Sequence, residues 1–158
     1  MPNNDNAQPM QMSTPDPALK RLEKLVGTWS IKGRTLDSQD DNISGRVTIE
    51  WLPGGFFLQQ LGEMEFMGSK IHSLEIVGYD PSTKAFFSNV YSNMAGVPAP
   101  YEWDVQGNVV THWTEESKYT GILSEDGNIL SGGWRPEEGK EGPENVAYDA
   151  TMTRVDGE

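Results

Sequence analysis

His72 and His112 are the only histidines of this 158-residue chain and the side chains best suited to acid–base or metal chemistry. An imidazole changes charge near neutral pH and is the commonest metal ligand. The chain holds no cysteine, which removes disulfides, thiolate catalysis and cysteine metal sites. A metal centre draws on several His or carboxylate ligands, and two histidines far apart in sequence supply too few, so no metal is expected. The pair can instead orient a ligand by hydrogen bonding or act as acid and base. His112 adjoins Trp113, and an inward imidazole there is the best polar handle for a largely apolar cavity.

Carboxylates are the second source of chemistry. Glu50, Glu63, Glu65, Glu75 and Glu102 fall within strand-like runs, where alternation places most of them outside. One facing inward would have a raised pKa and could serve as a general base. Glu115-Glu116 and the loop 137–144 (EEGKEGPE) read as solvated surface without the alternating oxygen ligands of a calcium site. There is no Gly-x-Ser-x-Gly elbow, and Gly54-Gly55 and Gly132-Gly133 are turn or bulge glycines with no helix after them to bind phosphate.

These residues must be positioned by strands. From Thr28 onward, turn signals such as Pro53-Gly54-Gly55, Asp80-Pro81-Ser82-Thr83-Lys84, Gln106-Gly107-Asn108 and Glu125-Asp126-Gly127-Asn128 punctuate short apolar runs. Such short connections make neighbouring strands antiparallel and the order a meander. Parity points Val47, Ile49 and Trp51 inward, then Phe56, Leu58, Gln60, Gly62, Met64 and Phe66, then His72, Leu74, Ile76 and Gly78, then Tyr101, Trp103 and Val105. The segments 109–116 and 128–135 carry aromatic or polar residues on both faces and stay open. Glycines 62, 68, 121, 132 and 133 are places for a bulge. Candidate cavity residues are therefore Trp51, Gln60, Met64, His72, Trp103, His112, Trp134, Tyr148 and Met152, with Ser88 beside them. They mix aromatics, thioethers and sparse hydrogen-bonding groups, as a ligand cavity does. A filled core with satisfied polar atoms is the plainer alternative.

Ahead of the strands, Asp16-Pro17 reads as an N-cap followed by proline at the first helical position. Leu19, Leu22, Leu25 and Val26 then recur at helical spacing, and Gly27 is placed to end the helix in the left-handed conformation. Trp29 follows, where an indole packs across a closed barrel end. Residues 1–14 are polar and lack an apolar period, so a disordered arm is expected there and a single domain over 15–158.

The formal charge of −12 argues against nucleic acid and anionic membrane surfaces. It serves solubility or attracts a cationic ligand. No run approaches the roughly 20 apolar residues of a membrane span, and no apolar run precedes Lys20 as in a secretory signal, so a cytoplasmic protein is expected.

Leu25-Val26-Gly27-Thr28-Trp29, Trp51-Leu52-Pro53-Gly54-Gly55-Phe56-Phe57-Leu58 and Val77-Gly78-Tyr79-Asp80 resemble the DUF1579 family, which opens "LxGxW" and carries a "GGRFL"-like turn and a "GYD" before a hairpin. The resemblance spans most of residues 19–155 and departs at Phe56, where arginine is more typical. It implies a lipocalin- or calycin-like barrel and no particular activity. A more distant similarity is to nitrobindin, a ten-stranded barrel that holds haem through a histidine near the end of the chain. Here the last strand-like run, 145–155, has no histidine, so haem is not implied and no cofactor is expected.

The fold expected is all-β: an antiparallel up-and-down β-barrel of about ten strands with one short N-terminal capping helix. The function expected is binding of a small hydrophobic or amphipathic molecule. The alternative is a cofactor-free isomerase or cyclase using the same cavity, and a filled interaction scaffold is a third reading. If the meander fails to close, its edges could pair in a homodimer.

Overall fold

The structure, a computed structural model, describes residue 10 and residues 13–155. The expected arm over 1–14 lies largely outside them. A 3-10 helix, Pro17–Leu25, leads into ten strands: β1 (Gly27–Thr35), β2 (Ile43–Trp51), β3 (Leu58–Phe66), β4 (Ser69–Asp80), β5 (Ala85–Ser92), β6 (Ala99–Gln106), β7 (Val109–Trp113), β8 (Ser117–Leu123), β9 (Ile129–Pro136) and β10 (Tyr148–Arg154). Each strand pairs antiparallel with the next, and β10 returns to β1 to close the barrel. Closure leaves no unpaired edge among the described strands, so dimerisation by edge pairing has nothing to use. No helix among the described residues is long and apolar enough to cross a membrane.

The helix starts as its sequence predicts: the Asp16 side chain accepts from Ala18 N at 2.9 Å, and Pro17 occupies the first turn. Its type follows from leucine spacing. Leu19, Leu22 and Leu25 recur every third residue, which lines up on one face of a helix with three residues per turn, and all three are buried.

Its end differs from expectation. Val26 is the C-cap in extended conformation, and Gly27 at φ +139° opens β1 instead of closing the helix in the left-handed region. The reason is Arg154 at the end of β10. Its guanidinium donates to the carbonyls of Val26, Lys24 and Gly127 and lies 4.2 Å from the centre of the Trp29 ring. A Cβ on Gly27 would sit 2.3 Å from Arg154 Nη1. Trp29 is fully buried and donates its indole N–H to Leu25 O at 2.9 Å. The opening Leu-Val-Gly-Thr-Trp motif thus fastens the plug: an arginine satisfies the helix's last carbonyls, and glycine leaves it room.

Strand register then decides what faces the interior. From β1 to β3 the inward residues include Trp29, Ile31 and Ile43, together with Val47, Ile49, Leu58 and Met64 as alternation predicts. In β4 the expected face is reversed. Met67 and Gly68, at φ 51° and 87°, form a two-residue turn that pairs Phe66 with Ser69. Residues three apart across such a turn share a face. With Phe66 inward, Ser69, Ile71, Ser73, Glu75, Val77 and Tyr79 follow, and His72, Leu74, Ile76 and Gly78 turn outward.

Pairing runs continuously through Gly62, Gly121, Gly132 and Gly133, and Gly68 belongs to the turn, so none of them marks a bulge. Two of them make room for a ring: a Cβ on Gly121 or Gly132 would meet Tyr119 Oη at 2.5 Å.

Candidate functional site

With the helix across one end, the barrel encloses a cavity of about 170 Å³. Its deep wall is apolar, with Leu25, Ile31, Val47, Ile49, Leu130 and Met152. Toward the other end come Gln60, Met64, Ser73, Glu75, Trp103, His112, Tyr119 and Tyr148. Beyond them a wide vestibule opens to solvent between Phe66, Ile71, Tyr101 and Trp134. Glu75, His112 and Tyr148 line both spaces and so form the neck between them.

Glu75 is placed there by the β3–β4 turn, opposite Gln60 and Val90. Its Oε2 accepts from Ser88 Oγ at 2.7 Å and from Trp103 Nε1 at 3.0 Å, and that indole N–H also reaches Ser88 Oγ at 2.9 Å. No described residue donates to Oε1. Burial raises the carboxyl's pKa, and the two donors offset only part of that effect.

His112 sits in a stack. Trp103 lies on one side, 4.6 Å between centroids and 17° between planes, and Tyr119 on the other, at 4.7 Å and 24°. The edge of Tyr101 and the ring of Trp134, tilted by 40°, complete an aromatic box. Burial holds the imidazole pKa down to about 3, so the ring is neutral at physiological pH. Its Nδ1 is buried with no partner among the described residues, and Gln60 Nε2 is in the same condition. Buried polar atoms are normally paired, and these two are exceptions among the described residues.

Burial also raises the neighbouring phenols. Tyr148 is pushed up to about 12, Tyr101 and Glu75 adding to the effect, and Tyr119 and Tyr101 shift the same way. At neutral pH the neck therefore presents neutral hydroxyls, a neutral imidazole and one carboxyl. Chemically it can hold a polar group by hydrogen bonds and move a proton through Glu75. No group of three or more His, Cys, Asp or Glu among the described residues is placed to hold a metal ion.

The residues named from sequence separate as follows. Gln60, Met64, Trp103, His112, Tyr148 and Met152 line the inner cavity, and Trp134 lines the vestibule with its N–H on Asn145 Oδ1 at 3.2 Å. Ser88 is buried and serves Glu75. Trp51 belongs elsewhere: its indole N–H donates to Glu23 on the helix, outside the plugged end of the cavity. His72 points away from the barrel, 59% exposed, with Nδ1 3.5 Å from Glu63 Oε1. His72 and His112 therefore cannot work as a pair. Alternation alone missed Glu75, Ser73 and Tyr119; the Met67-Gly68 turn after an inward Phe66 was the signal for the first two.

Fold and site together define a closed antiparallel β-barrel with a helical plug, an internal cavity and a polar neck. The chain belongs to the family described as protein of unknown function (DUF1579), whose model matches residues 14–127. None of the curated proteins matches the chain. Among solved structures it is similar to one titled "Crystal Structure of Rv2717c from M. tuberculosis", at 15% sequence identity and a TM-score of 0.47, with 89% of this chain and 99% of that chain covered.

Proposed function

We propose that the barrel binds a small amphipathic molecule, its apolar part in the inner cavity and its polar end at the neck. One observation carries this reading: a mostly apolar space of about 170 Å³ lined toward its open end by Gln60, Glu75 and His112, with Glu75 Oε1 engaged by no described residue. Ligand sites combine apolar walls with a few convergent polar groups, and the polar end of a guest would meet these three side chains. The volume also supports it, since an apolar cavity of about 150 Å³ accepts benzene. The open vestibule leaves room for a longer tail.

Native mass spectrometry of the protein as purified, compared with its denatured mass, tests the reading. An extra mass that leaves on unfolding and fails to return in a cavity-filling Ser73→Leu variant is expected. A clean mass that stays clean after incubation with lipid and metabolite extracts would sink it.

A second reading, a cofactor-free isomerase or cyclase, is favoured by Glu75, a carboxyl with raised pKa open to the same space. Chromatography of the guests separates the two. An enzyme should yield isomers of one mass that differ between the wild type and Glu75→Gln, whereas a binder yields the same compound from both.

A further inference from the structure

Resting on the ligand-binding reading above, we propose that the guest is a cationic amine, its ammonium held at the neck by Oε1 of Glu75 and its apolar body filling the inner cavity. The charge inventory comes first. No Lys or Arg lines the inner cavity, and Glu75 is the one acidic side chain that does. A fatty acid or other carboxylate guest would meet a carboxyl there with no counter-charge. An ammonium supplies one.

Geometry points the same way. The two donors that reach Glu75 both engage Oε2, which leaves Oε1 to a third donor arriving from the void. The other polar groups that line the neck fit that donor as well. A neutral imidazole offers one lone pair, and the Gln60 amide offers its oxygen. One ammonium has three N–H groups to divide among such acceptors. Tyr101 and Trp134, which line the vestibule, add aromatic rings, and aromatic rings attract cations.

The approach is acidic too. Glu102, Glu115, Glu116 and Glu144 line the vestibule against one lysine, Lys70, on a chain of net charge −12. A concave surface of one sign concentrates ligands of the other.

Calorimetric titration at about pH 7.5 with three probes of matched size tests the proposal: 2-phenylethylamine, 2-phenylethanol and 3-phenylpropanoate. The amine should bind about tenfold or more tighter than the alcohol, as a charge-assisted hydrogen bond provides, and the carboxylate should give no heat. Glu75→Gln, confirmed folded by circular dichroism, should remove the amine's advantage over the alcohol. Glu125→Gln, exposed in the β8–β9 turn and outside both spaces, makes the same charge change and should leave amine binding unchanged. The proposal is overturned if the alcohol or carboxylate matches the amine, or if Glu75→Gln leaves amine binding intact; in either case the cavity still binds a guest and the broader reading survives. Silence from all three probes also overturns it, and the native mass then decides separately whether the cavity holds anything.

Discussion

The indole of Trp103 lies nearly parallel to the imidazole of His112, 4.6 Å between centroids, while its N–H turns away to Glu75 Oε2 at 3.0 Å. One side chain thus packs the neck's base and grips its acid. Both groups pay for burial in the same way, by shifting toward their neutral forms, and that gives the barrel an opposed pair of pH dependences.

His112 sets the first. Its folded pKa is held at about 3, against an ordinary 6.5. Between those values the unfolded chain binds the extra proton, so stability is full above pH 6.5 and falls as the pH drops toward 3. The loss attributable to this residue should reach about 2 kcal/mol by about pH 5. His112→Phe keeps a flat ring in the stack and removes the titration. Urea unfolding at neutral pH and at about pH 5 should show the wild type losing that much more than the variant.

Glu75 sets the second, with the opposite sign. Its folded pKa lies above the ordinary 4.5, so the unfolded chain gives up its proton first. The stability it contributes is present below 4.5 and is lost as the pH rises through the raised folded value. Glu75→Gln can still accept from Ser88 and Trp103 and cannot ionise. Thermal denaturation should find the variant more stable than the wild type at about pH 8, with the advantage shrinking toward about pH 4. An advantage that does not change with pH would mean Glu75 keeps its ordinary pKa.

Gly27 carries a backbone prediction. An alanine there would have to hold φ +139° and displace Arg154 Nη1 from 2.3 Å away. Strain plus loss of the guanidinium from the helix's last carbonyls should cost roughly 3 kcal/mol, read by urea unfolding. Because Gly27 and Arg154 form one device, Gly27→Ala and Arg154→Ala should be far from additive in a double-mutant cycle.

How much of this was written in the sequence can be judged strand by strand. The plug, the antiparallel meander and the inward faces of β2, β3 and β6 follow from alternation and turn residues, since each of those strands has one clearly more apolar face. Closure needs the pairing of β1 with β10, which no local pattern specifies. In β4 both faces are apolar, with Ile71, Val77 and Tyr79 against Leu74 and Ile76, so alternation cannot decide. Only the Met67-Gly68 turn fixes the register, and it carries Glu75 inward and His72 outward. The His112 stack was not legible either. It needs Trp103, His112 and Tyr119 on three adjacent strands at one level, and the level depends on registers that no local pattern specifies.

The two histidines turn that register into a test. His72 is 59% exposed beside Glu63, itself 77% exposed, and such a pair contributes about 0–1 kcal/mol. His72→Ala should leave unfolding and guest retention near wild type. His112→Ala removes a ring from between Trp103 and Tyr119, which opens a hole worth roughly 2–4 kcal/mol and takes away part of the cavity wall. Native mass spectra of the two variants should therefore differ, with the guest kept in the first and depleted in the second. Depletion in His72→Ala instead would mean that β4 is shifted by one residue, putting His72 inside and Glu75 out.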